Sequence, residues 1–205
     1  MEASQKWFEE NGFTLDAVLN HQEIIPFVKT YLFKRNLFTL SYLIFNLIFL
    51  VLLLATLLIQ TIYNSLSLSE AFLWFAYGCS LTFALIPFHE AIHGVAYKYC
   101  GAPKVSFSAN WKKLYFMAIA DKFVATRKPF YLIGLSPFII ISALFLLLAF
   151  IGTGGQQIMF FTVLFFHASM CAGDFGLMSY FIEQQDKEVA TYDDAKNELT
   201  YFYIK

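Results

Sequence analysis

Long apolar runs separated by short polar ones set the plan of this chain. A helix needs roughly 20 apolar residues to cross a bilayer, and four segments reach that length: about 37–63, 71–99, 129–151 and 157–182. The first is charge-free and rich in Leu, Ile and Phe, and the third is uncharged. The second carries no charge from Ala71 to Phe88 and then runs into ionisable residues, and His167 and Asp174 interrupt the fourth. Before the first span, Leu15, Val18, Leu19, Ile24, Ile25, Phe27 and Val28 recur at loose helical spacing. That spacing predicts a short amphipathic segment broken near Pro26, either lying in the membrane interface or packed on the bundle ends.

The connector after the second span reads differently. Lys104 to Ala109 alternates at period two, Leu114 to Ile119 is a compact apolar run, and Asn110 to Lys113 separates them, which predicts a hairpin. It could pair with an extended substrate by strand addition or simply cover the helix ends. The predicted fold is an all-α membrane protein with four spans and this hairpin-like loop. One membrane-embedded domain would cover 1–205, with an N-terminal cytoplasmic segment 1–36 and a C-terminal tail 183–205.

Composition agrees with membrane residence. Charged residues make up 14% of the chain and hydrophobic ones 59%, whereas soluble domains carry about 25% charged residues. A formal net charge of −1 leaves no basic face to neutralise phosphates, which argues against a nucleic-acid partner. Cys79, Cys100 and Cys171 are too scattered for a disulfide framework and read as small hydrophobes. The polar, mixed-charge first 36 residues show no cleavable signal pattern, so insertion is expected to rely on the first span. The loop between spans two and three holds Lys98, Lys104, Lys112, Lys113, Lys122, Arg127 and Lys128, while the two short loops have no basic residue. The positive-inside tendency then places this loop and both termini in the cytoplasm.

The chemistry is concentrated in His89-Glu90-Ala91-Ile92-His93-Gly94. On a helix, His89 and His93 project from one face as two nitrogen ligands for a tetrahedral zinc. Glu90 lies beside them as a general base for water. Pro87, just upstream, removes a helix hydrogen bond where water must enter. A catalytic zinc normally has three protein ligands, and the remaining candidates are His21, His167 and Asp174. His89 lies roughly 27 Å and Asp174 roughly 25 Å along their spans at 1.5 Å per residue, a matching depth toward the cytoplasmic leaflet. His167 lies about 10 Å higher by the same rise, which suits an orienting partner, an oxyanion donor or an ordinary buried histidine better than a primary ligand. An acid inside a span is costly enough to be a functional candidate, and Gly173 and Gly176 allow close approach around it.

With these motifs the chain resembles the site-2 protease class. More closely it resembles a bacterial membrane family of zincin peptidases, through the His-Glu-x-x-His-Gly form, the Pro137 span and the Gly173-Asp174 pair. The likeness covers roughly residues 70 to 182. It implies His89, His93 and Asp174 as Zn2+ ligands, Glu90 as general base, and the bacterial cytoplasmic membrane as location. The Asn-x-x-Pro that precedes the aspartate in site-2 proteases is absent here, and Phe175 separates Asp174 from Gly176. The function expected is a zinc-dependent membrane-embedded endopeptidase acting on a membrane-protein or peptide substrate. The alternatives are a catalytically silent membrane scaffold that retains the fold, and a metal-dependent oxidase or desaturase, which four histidines serve poorly. Substrate, pathway and oligomeric state are not encoded in any motif.

Overall fold

The structure is a computed structural model that describes residues 5–110 and 115–205. Lys112 and Lys113 of the predicted hairpin loop lie outside the described residues. The protein is mostly helical (66%), and it also contains a four-stranded sheet, so the all-α expectation is corrected. The elements run α1 (Gln5–Glu10), β1 (Thr14–Asn20), α2 (Ile24–Leu32), α3 (Leu37–Leu58), α4 (Leu68–Ala84), α5 (Ile86–Tyr99), β2 (Ser106–Asn110) and β3 (Tyr115–Ile119). They continue with β4 (Ala125–Thr126), α6 (Arg127–Ile151), α7 (Gly155–Met170), α8 (Ala172–Glu183), β5 (Val189–Asp194) and β6 (Leu199–Ile204). Two compact units emerge, one from Met1–Thr39, Glu90–Ser136 and Gly173–Lys205, the other from Leu40–His89 and Pro137–Ala172.

The first unit is built on an antiparallel sheet of order β1-β6-β5-β4. Successive residues of β5 and β6 point to opposite faces, and both faces are covered. Ala190, Tyr192 and Tyr203 pack with Phe8 of α1 on one side. Val189 and Phe202 pack with Tyr180 and Phe181 of α8 on the other. The Phe8 and Tyr203 rings stack at 4.0 Å between centroids, and the Tyr180 hydroxyl donates to Asp16 Oδ2 at 2.6 Å, tying α8 to β1. The C-terminal tail expected at 183–205 is therefore the β5–β6 hairpin at the centre of this unit.

The amphipathic N-terminal segment is half strand and half helix. Thr14–Asn20 pairs with β6, and the register shifts between Leu15 and Ala17. Pro26 falls in the first turn of α2 and does not break it. A proline there forgoes an N–H that has no partner within the helix, so it costs little. The β2–β3 hairpin forms as the alternation predicts, with Ser106 opposite Ile119 and Asn110 opposite Tyr115.

The second unit is a helical bundle. Among the described residues, Leu37–Tyr63, Leu68–Tyr99 and Arg127–Ile151 are each long and apolar enough to cross a membrane. Gly155–Met170 and Ala172–Glu183 add a fourth span if the pair, bent by 43° at Cys171, is counted as one. Only 17% of the most apolar window of the first span is buried, and Leu40, Leu43, Leu47, Val51 and Leu54 of α3 are all more than half exposed or close to it. Apolar area on that scale is untenable in water and is consistent with a membrane protein. Helices α4 and α7 meet through small residues: a Cβ at Gly78 would come within 2.5 Å of the Thr162 Cβ, and one at Gly155 would overlap the Trp74 ring. Ser67 and Glu70 form a reciprocal cap at the start of α4.

Candidate metal centre

Helix α5 starts afresh after α4 ends. Leu85 caps α4 by donating its N–H to Leu81 and Thr82, and its own carbonyl accepts from the His89 N–H at 2.9 Å. Pro87 has no N–H to give to the carbonyl four residues before it, and the helix Leu68–Tyr99 is interrupted within that turn, at Leu85, as expected of a proline that removes a helix hydrogen bond. One continuous helix then carries His89, Glu90 and His93, whose ligating atoms lie within 4.8 Å of one another.

His93 is buried and held from two sides within the first unit. Its Nδ1 lies 2.9 Å from the Ile133 carbonyl of α6, and its Nε2 lies 3.1 Å from Asp174 Oδ1 of α8. A carbonyl can only accept, so Nδ1 carries the proton and Nε2 keeps its lone pair in the neutral ring. The Ile133 carbonyl is available for a local reason. Four residues on stands Pro137, inside α6, and a proline has no N–H to close the helical bond. The Ser136 hydroxyl also donates to that oxygen at 2.9 Å.

Glu90 is fixed by the hairpin. The Ala118 N–H of β3 donates to Glu90 Oε2 at 2.7 Å. The hairpin reaches the helix at Gly94, where a Cβ would meet the Phe107 ring at 3.0 Å. The glycine that closes the motif is thus the seat of the hairpin beside His93.

In the second unit, His89 Nδ1 lies 3.1 Å from Nε2 of the buried His167 on α7. Cys171 Sγ lies 4.0 Å from the same His167 nitrogen. The structure brings predicted site residues together in two groups: His93 with Asp174, and His89 with His167. Sequence reasoning missed the Ile133 carbonyl, the Ala118 amide and the proximity of Cys171, which was read as packing. Pro137 four residues after Ile133 was the one signal that could have disclosed the first.

The donor chemistry fits zinc. A histidine fixed through Nδ1 to a backbone carbonyl, with Nε2 facing a carboxylate, is the usual preparation of an imidazole ligand. A second imidazole and a glutamate one turn away add the nitrogen donor and base that metallopeptidases use. Comparison with known families agrees with that class. The family described as "Putative zincin peptidase" matches residues 82–189, more than half of the chain, and the chain belongs to it. Zinc binding and a metallopeptidase function follow from that membership at the family level. No curated protein and no solved structure matches the chain.

Proposed function

We propose that the protein is a zinc-dependent endopeptidase of the site-2-protease-like kind, embedded in the bacterial cytoplasmic membrane with both termini cytoplasmic. His89, His93 and Asp174 hold the metal and Glu90 is the general base. The observation that carries this reading is His93, whose Nδ1 is committed to Ile133 and whose Nε2 faces Asp174. When bound, zinc supplies polarisation of a peptide carbonyl and a water acidified toward neutral pH.

The chain's own groups do the remaining work. Glu90 takes the water proton on its carboxylate and returns it to the leaving amine. Ala118 holds Oε2 by its N–H, which fixes the plane of that carboxylate. His167 Nε2 lies 3.1 Å from His89 Nδ1, and as the acceptor of that N–H it would leave His89 Nε2 as the ligating nitrogen, the orienting role common behind ligating histidines. The contact with His89 favours that role over oxyanion stabilisation. A membrane-protein segment or a peptide is the substrate class, since a carboxylate base beside zinc suits amide hydrolysis.

Glu90→Gln tests the reading. The variant is expected to retain stoichiometric zinc while peptide cleavage falls by at least about 100-fold. Cleavage at the wild-type rate would end the mechanism.

A further inference from the structure

His167 and Cys171 are four residues apart at the end of α7, and both are buried. The helix stops between them and α8, with the Cys171 N–H donating back to the His167 and Ala168 carbonyls. That closing turn sets the imidazole and the thiol on one side of the break, facing His89. The three ligating atoms, from His89, His167 and Cys171, lie within 4.8 Å of one another. The His89 Nδ1 to His167 Nε2 separation is 3.1 Å and the His167 Nε2 to Cys171 Sγ separation is 4.0 Å. Bonds of about 2.0 Å to nitrogen and 2.3 Å to sulfur around a tetrahedral ion imply edges of about 3.3 Å and 3.5 Å. The two separations at His167 therefore lie within about 0.5 Å of those edges, and the His89 and Cys171 ligating atoms stay inside the 4.8 Å envelope of the cluster.

We propose that His89, His167 and Cys171 form a second metal position, selective for thiophilic cations such as Zn2+ and Cd2+. Two imidazoles and one thiolate are the donor set that such ions prefer over hard cations like Mg2+ or Ca2+. Coordination forms the Cys171 Sγ–metal bond and breaks the S–H bond, and the proton leaves to the buffer. The site uses His89 through Nδ1, whereas the peptidase set uses it through Nε2. A neutral imidazole has one lone-pair nitrogen, so the two uses exclude each other. A cation here withdraws His89 from the peptidase centre, and excess zinc becomes an inhibitor. This last step rests on the proposed peptidase reading, whereas the site itself does not.

The experiment is a cadmium titration of the full chain, stripped of metal and held in detergent micelles. It is read by the ultraviolet thiolate-to-cadmium charge-transfer band and by bound cadmium. Wild type and the Cys79→Ser/Cys100→Ser double variant, in which Cys171 is the sole thiol, are expected to show the same band. Cys171→Ser is expected to lose it, His167→Ala to need at least 10-fold more cadmium, and His93→Ala to keep it. No band in the double variant, or an undiminished band in Cys171→Ser, overturns the site. Cleavage assays in excess zinc then separate the two readings. Inhibition in wild type and its absence in Cys171→Ser supports the mutual exclusion. A normal cadmium band with no cleavage at any zinc level sinks the peptidase reading and leaves the site standing. Active enzyme without the band sinks the site alone.

Discussion

Replacing Asp193 by Asn should make the protein gain stability with rising pH relative to wild type. Asp193 lies on β5, where its Oδ1 accepts the Thr200 hydroxyl at 2.6 Å, and Thr200 Oγ1 in turn lies 3.0 Å from His21 Nε2. Burial pushes the Asp193 carboxyl from 3.8 up to about 6. The Thr200 hydroxyl and the Ala120 backbone oppose the rise in part, and the neighbouring Asp121 adds to it. Between pH 3.8 and about 6 the folded chain therefore keeps a proton that the unfolded chain has lost. Stability conferred by that proton is fully present below the lower value and is lost as pH rises through the upper one.

At 1.36 kcal/mol per pKa unit, the ionised carboxylate costs at most about 3 kcal/mol above pH 6. Asparagine keeps a carbonyl acceptor for Thr200 and cannot ionise. The stability difference, Asp193→Asn minus wild type, should therefore grow by about 1 to 3 kcal/mol from pH 4 to pH 8. Burial holds the His21 ring below its ordinary value, against an opposing pull from Glu198. Its contribution runs the other way, lost as pH falls through the usual imidazole range, and it cancels because both proteins carry it. Denaturant unfolding in micelles, followed by tryptophan fluorescence at a series of pH values, gives the difference. A gap that stays flat or shrinks with pH would refute the assignment of Asp193 as a carboxylate ionised against its surroundings.

Other outcomes follow from the helices. In a Cys171→Ser background, which empties the second position, His93→Ala and Asp174→Ala should each lose stoichiometric zinc on metal analysis, and full zinc in Asp174→Ala there would remove it from the ligand set. Pro137→Ala restores an N–H that competes with His93 for the Ile133 carbonyl. Losing such an outer contact weakens metal binding by about 10- to 100-fold, measurable by competition with a chelator, and unchanged affinity would count against the tether. Gly78→Val places atoms where a Cβ already comes within 2.5 Å of Thr162. Overpacking of that kind costs about 1 to 3 kcal/mol, to be seen as a lower thermal midpoint.

The apolar spans were legible because a bilayer demands long uninterrupted runs. The segments 37–63 and 129–151 reappear almost unchanged as Leu37–Tyr63 and Arg127–Ile151. The sheet was not legible, for two different reasons. In β5, the first four residues are all buried, so the alternation that marks a half-exposed strand is absent. In β1, Leu15 and Val18 share a face three residues apart because the register shifts between Leu15 and Ala17, while Leu19 turns to the other face. Such an irregularity adds a residue to one strand and displaces the pattern that follows. The hairpin was readable because its strand beyond the basic loop keeps one apolar run and the other keeps a two-residue period.

The centre itself shows what a motif leaves out. His89, Glu90 and His93 follow from spacing alone, but spacing does not say which imidazole nitrogen faces the metal. That choice comes from whatever binds the other nitrogen, here a backbone carbonyl on a different helix. A carbonyl inside an apolar span is normally consumed by its own helix, and one left over there is expensive. Pro137 creates such a leftover at Ile133, and the Nδ1–H of His93 and the Ser136 hydroxyl both donate to it. The proline thus frees a carbonyl that the histidine, 40 residues before Ile133, puts to use. An intramembrane proline at position i therefore points to the carbonyl at i−4 as an acceptor in search of a donor. In this chain two polar residues answer, Ser136 on the same helix and, from another helix, the second histidine of the motif.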